Sequence, residues 1–94
     1  MTADDLMLLP RWRCHKVVRA SRISSIRIAR DDEPEVPGDQ RQRLVLECGV
    51  VVPVTKDLVA RKHPAEGDYF VVYDDGYQSW SPALAFEDGY KPLV

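Results

Sequence analysis

The stretch DYFVVYDDGYQSWSPALAFEDGY, residues 68–90, decides how this chain folds. It alternates from Asp68 to Tyr73, turns at Asp74, Asp75 and Gly76, and returns from Tyr77 to Trp80, which is the pattern of a β-hairpin. A three-residue loop with Gly76 in the left-handed conformation puts Phe70, Val72 and Trp80 on one face. Tyr69, Val71, Tyr73, Tyr77 and Ser79 then share the other. A two-residue loop at Asp75 and Gly76 shifts the register by one and mixes the two sets, so the longer loop is preferred. Ser81 reads as a helix N-cap, Pro82 as the first helical residue, and Gly89 as the stop of a helix over residues 82–88.

Working upstream, KDLVARKH (residues 56–63) reads as a second short helix. Thr55 caps it, Asp57 lies in its first turn, and Pro64 ends it. Residues 43–55, RLVLECGVVVPVT, form two strands that turn at Cys48 and Gly49. Leu44 and Leu46 alternate on one limb, and Val50, Val52 and Val54 on the other. Pro53 cannot donate to a ladder and belongs on an edge or at a bulge. Residues 30–42 carry two prolines, a glycine and many charges, and are expected to be an exposed, mobile loop. Residues 12–28, WRCHKVVRASRISSIRI, are β-branched and free of Gly and Pro, so one long strand or two short ones are expected, with a helix as the alternative. Val18 and Ala20 share an alternating face with Ile26 and Ile28 while Ile23 does not, which calls for a bulge or break between Ser21 and Ser24. Residues 1–10 are expected to be a flexible tail.

These elements fit one domain over residues 1–94, with too little chain for two cores. The expected fold is α+β: a small twisted antiparallel sheet of four or five strands, SH3-like or a half-open barrel, with two short helices. The expected core is Val18, Ile26, Leu44, Leu46, Val52, Leu58, Phe70, Val72, Trp80, Leu84 and Phe86. The N-terminus is acidic and its apolar run short, and no apolar run reaches membrane-spanning length, so the chain reads as cytoplasmic with no membrane contact.

Charge is organised in blocks. Residues 1–30 carry +5, 31–40 carry −5, 41–63 carry +3 and 64–94 carry −5, for a net charge of −2. Blocks of opposite sign are expected chiefly to pair within the fold or to face solvent. The basic N-terminal block holds Arg11, Arg13, Lys16, Arg19 and Arg22, then Arg27 and Arg30. With Trp12 and His15 among them, such a strand would track phosphates and offer a stacking ring, which makes nucleic-acid binding the alternative function.

Chemistry is sparse. Cys14, His15, Cys48 and His63 lack the short Cys-Cys and His-His spacings of zinc sites, and two cysteines make no disulfide scaffold. A Cys–His nucleophile pair needs a contact that nothing in the spacing promises. Ser79 and Ser81 sit in no nucleophile elbow. Asp74, Asp75, Glu87 and Asp88 have no partner base, and Asp75 is explained by turn preference. No metal, cofactor or catalytic residue is expected. What the turn signals do not explain is the tyrosine face, Tyr69, Tyr73 and Tyr77 with Tyr90 nearby, beside Asp74 and Asp75. Tyrosine is rigid, amphipathic and enriched at protein interfaces; the competing reading buries that face under the C-terminal helix.

The segments VVYDDGYQSWSPALAFEDGY, VARKHPAEGDYF and CHKVVRASRI together resemble a group of small proteins encoded by bacteriophages and prophages, to which no activity attaches. The likeness spans residues 12–23 and 53–92. Cys48 departs from it, standing where an Asp-Gly or similar turn is expected. The resemblance implies an accessory protein of a phage or prophage in the bacterial cytoplasm. Joined to the aromatic, acidic hairpin, it gives the leading expectation: a non-enzymatic protein that binds a host or phage protein, or a second copy of itself, through Tyr69, Tyr73, Asp74, Asp75 and Tyr77.

Overall fold

The computed structural model describes residues 3–13, 17–60 and 63–93. Cys14, His15 and Lys16 lie outside the described residues. Among those described, the fold is mostly β. Seven strands form one antiparallel sheet: β1 (Arg11–Arg13), β2 (Val17–Ile28), β3 (Asp39–Leu46), β4 (Val51–Thr55), β5 (Tyr69–Val72), β6 (Gln78–Ser81) and β7 (Lys91–Pro92). Helix is confined to a single turn, α1 (Ala3–Leu6), and to α2 (Ala83–Gly89). The α+β fold with four or five strands in an SH3-like or half-open barrel is therefore corrected.

The sheet is organised by β2, which is long enough to serve several neighbours. Its Ala20 N–H donates to Pro10 C=O and its Arg22 C=O accepts from Glu47 N–H. Residues 20 and 22 point to the same edge of a strand, so β1 and β3 lie end to end along that edge. The other edge takes β5, in register Arg19↔Val72 to Arg22↔Tyr69. The order runs β4-β3-β2-β1-β7, and β5 with β6 branches from β2.

A register irregularity between Ile23 and Ser25 falls where the sequence demanded a break. It brings Ile26 to the face of Ile23 rather than that of Val18. The consequence is two apolar clusters on opposite faces of the sheet. The larger holds Leu6, Leu9, Ile23, Leu44, Leu46, Val52, Val54, Leu58, Phe70 and Val72. The smaller holds Val18, Ala20, Tyr69, Val71 and Phe86, with Trp12, Tyr73, Ala83 and Tyr90 packed against it. Every residue of β5 is buried because β5 has a cluster on each side.

Three local expectations change with this picture. Residues 56–60 form turns rather than a helix: Thr55 Oγ1 accepts from Leu58 N–H at 3.3 Å, Val59 N–H reaches Thr55 C=O and Ala60 N–H reaches Asp57 C=O, while Arg61 and Lys62, near the expected end of that helix, lie outside the described residues. One capped turn with a single buried side chain does not repay helix nucleation. The N-terminal segment is not a tail from Ala3 onward, since Leu6 and Leu9 are core residues. Arg19 Nη1 pins it by donating to the carbonyls of Met7 (2.9 Å) and Leu9 (3.0 Å).

Finally, α2 starts one residue later than expected. Ser81 ends β6, Pro82 is the N-cap without a side-chain cap bond, and Gly89 is the last helical residue. That start puts Ala83, Phe86 and Tyr90, spaced three and four apart, against the sheet and leaves Leu84 84% exposed. Trp80 and Ile26 are only partly buried. Pro53 sits on β4, the terminal strand of its branch, as its missing donor requires.

The acidic loop is largely exposed as expected, but its last residues, from Asp39, belong to β3, and it is tied by hydrogen bonds. Arg43 is buried and its guanidinium grips both Asp39 carboxylate oxygens at 3.0 Å. Arg27 holds Glu33 at 2.7 and 3.2 Å, and Glu33 Oε1 also accepts from the Arg30 N–H at 2.7 Å. Arg41, at φ 56 in the β3 irregularity, reaches the carbonyls of Glu33 and Arg30. Within the negative block 31–40, Glu33 and Asp39 thus pair with the flanking arginines, while Asp31, Asp32 and Glu35 are exposed. Among the described residues no helix is long and apolar enough to cross a membrane.

Candidate binding groove

The hairpin of β5 and β6 has the expected three-residue loop. Phe70 pairs with Trp80 and Val72 with Gln78; beyond them Tyr73 N–H donates to Tyr77 C=O at 3.0 Å. Gly76 has φ 86, and its N–H donates to Tyr73 C=O at 2.9 Å. Asp75 Oδ1 accepts from the Tyr77 N–H at 2.9 Å, the Asx turn that explains an Asp here. These bonds hold the Tyr73 and Tyr77 rings 6.0 Å apart on one side of the turn.

The tyrosine set divides. Tyr69 is 4% exposed and belongs to the core: its ring stacks on Phe86 at 4.4 Å and meets Trp12 edge-on at 5.3 Å. Its hydroxyl donates to Glu87 Oε2 at 2.6 Å, and burial, helped by that carboxylate, pushes the phenol up to about 12. Tyr69 is therefore removed from the expected contact surface. The residue that remains open is Tyr77, 58% exposed, with Tyr73 half-buried beside it and Asp74 and Asp75 exposed between them.

The arginines divide too. Arg11 and Arg19 are directly opposite across β1 and β2, as are Arg13 and Val17, while Arg13 faces Lys91 across β1 and β7. Directly opposed residues share a face, so Arg11, Arg13, Arg19 and Lys91 stand together. Arg22 is on the reverse face, 5.8 Å over the Tyr69 ring, with Nε donating to Gly67 C=O. Trp12 is on that reverse face as well, its indole N–H donating to Ala20 C=O at 3.1 Å and its ring against Phe86. The expected stacking ring is thus part of the smaller core.

The two candidate sets, far apart in sequence, meet at one place. A concavity of about 570 Å³ is lined by Leu6, Met7, Val17, Val18 and Val72, with Arg11 and Arg19 at one side and Tyr73, Asp74, Asp75 and Gly76 at the other. Sequence reasoning missed Met7 and Val17 as lining residues of this groove, and missed Lys91 as the neighbour of Arg13 on the basic face. Lys91 is isolated in the sequence among acids, and only strand pairing brings it to Arg13.

Neither cysteine–histidine reading gains support. Cys48 and His63 are exposed, and a second concavity of about 510 Å³ beside Cys48 is lined by Glu33, Arg43, Pro53 and others but by no described histidine. Among the described residues no three His, Cys, Asp or Glu side chains gather as a metal site. No family model, curated protein or solved structure matches this chain.

Proposed function

We propose that this chain is a non-enzymatic accessory protein of a phage or prophage, acting in the bacterial cytoplasm by binding another protein, of host or phage. The observation that carries the reading is the groove between the N-terminal segment and the turn at residues 73–77. It has an apolar floor, Met7 and Tyr73 in its lining, and charges of both signs on its sides, and the exposed Tyr77 follows Gly76 in the same turn. Exposed aromatic and aliphatic side chains beside a concavity are what protein interfaces use as anchors.

The test is a pull-down from bacterial lysate with the intact chain, with and without nuclease, run beside a Tyr73→Ala, Tyr77→Ala variant. A nuclease-resistant partner that the variant no longer retains supports the reading, and one that the variant retains unchanged refutes it. The nucleic-acid alternative is favoured by the shared face of Arg11, Arg13, Arg19 and Lys91. It predicts retention that nuclease abolishes and that falls steeply with salt. The burial of Trp12 weighs against it, because that ring is not on the basic face.

A further inference from the structure

We infer that the groove reads a bipolar peptide segment, with acidic residues at one end, apolar residues in the middle and basic residues at the other. The inference rests on the protein-binding reading and names the chemistry of the partner. Its basis is a row running across the sheet rather than along a strand. Lys91 on β7 lies opposite Arg13 on β1, and Arg13 lies opposite Val17 on β2. The register of β2 with β5 ends at Arg19↔Val72, and Val17 and Asp74 line the same groove just beyond it. Two cations, which are not among the groove's lining residues, thus stand at one end of the row, with an apolar residue in the middle and a carboxylate at the far end, both of which line the groove. Neighbouring strands are about 4.8 Å apart, so the row spans roughly 14 Å, or about four residues of an extended chain.

In the adjacent row Arg11 lies opposite Arg19, whose Nη1 is held by the Met7 and Leu9 carbonyls, and Arg19 lies opposite the core residue Val72, so that row adds the charge of Arg11 alone. The groove floor supplies Leu6 and Met7, and the turn supplies Asp75. Arg11, Arg13 and Lys91 are exposed and form no ion pair among the described residues, so their charge is available to a ligand. A polyanion crossing from Lys91 toward Val17 runs into the Asp74 and Asp75 carboxylates. A peptide whose acids are confined to one end does not. Like-charge juxtaposition at an interface rejects wrong partners strongly, so this gradient discriminates by charge order and not only by charge content.

The experiment is fluorescence anisotropy of the intact protein with a labelled peptide Glu-Glu-Leu-Val-Leu-Lys-Lys. Its controls are a peptide of the same composition with the charges interleaved, and an oligothymidylate. The segregated peptide is expected to bind at least about tenfold more tightly than the interleaved one. An Arg13→Glu, Lys91→Glu variant and an Asp74→Lys variant, each checked for its β-sheet circular dichroism and thermal midpoint, are each expected to remove that preference. No binding of the segregated peptide, equal binding of both peptides, or tighter binding of the oligothymidylate overturns the inference. If the peptides fail while a lysate partner is still retained through Tyr73 and Tyr77, the partner chemistry is wrong and the protein-binding reading stands.

Discussion

Asp39 lies in the fork of the Arg43 guanidinium: Nη1 is 3.0 Å from Oδ1 and Nη2 is 3.0 Å from Oδ2, with each side chain only 4% exposed. The Asp39 backbone starts β3 and its Oδ1 also accepts from the Arg41 N–H at 2.7 Å, so one carboxylate fixes both the strand entry and the irregularity beside it. The loop at residues 30–38 is held by the same arginine, whose Nη2 donates to Pro34 C=O.

Acid should therefore loosen this corner first. The bond from Arg43 holds the Asp39 carboxyl well below the usual range, and the bond from Arg27 lowers Glu33 to about 2. Both groups have lower affinity for protons when folded than at their unfolded values near 4, so their stabilisation is complete above about pH 5 and is lost as pH falls toward 2 and below. Thermal midpoints measured down this range should fall in the wild type. In Asp39→Asn they should start lower at neutral pH and fall less, and parallel curves would show that the pair is not the acid-sensitive element.

At the alkaline end the sign reverses. Tyr69 has a folded value near 12, above the unfolded value of about 10, so its contribution is full below pH 10 and is lost as pH rises toward 12. Tyr69→Phe keeps the ring stack on Phe86 and loses the bond to Glu87, which should cost about 1 kcal/mol at neutral pH and flatten the alkaline limb. The phenolate absorbance that develops toward pH 12 should be smaller by one tyrosine in the variant than in the wild type.

The face-to-face division of the core gives a sharp contrast on α2. Phe86 is buried among Trp12, Tyr69 and Tyr90, so Phe86→Ala should cost roughly 3–5 kcal/mol by urea unfolding. Leu84, two residues earlier and exposed, should tolerate Ser within about 0.5 kcal/mol. A reversed order would mean that α2 packs through its other side.

How far these features were legible differs from residue to residue. The turn at Asp74, Asp75 and Gly76, the hairpin at Cys48 and Gly49, and the break near Ser24 could be read directly, because each is fixed by residues adjacent in sequence. Phe86 is buried as expected, and the exposure of Leu84, expected in the core beside it, followed from a one-residue shift in the start of α2, within the ordinary ambiguity of helix ends. The burial of Tyr69 and Trp12, the Arg43–Asp39 pair and the meeting of Arg13 with Lys91 depend on which strands lie side by side. That pairing is set by β2 reaching β1, β3 and β5 together, and no local pattern encodes it. The groove was visible only as two separate sets of residues, one basic and one aromatic and acidic.

The turn that presents Tyr77 allows stability and binding to be separated. Gly76 has φ 86, and a Cβ there would meet no heavy atom within 4 Å, so substitution costs backbone strain alone. Gly76→Ala should lose about 1–2 kcal/mol, and Gly76→Asn clearly less, because Asn enters the left-handed region more readily. Tyr77→Ala should leave the urea midpoint nearly unchanged, since its ring is largely in solvent and the Asx turn uses only its backbone N–H. If Tyr77 is an anchor, that same variant should lose partner retention, and Gly76→Asn should keep most of it. Retention that instead tracks the stability ranking, lowest in Gly76→Ala and intact in Tyr77→Ala, would move the contact surface away from this turn.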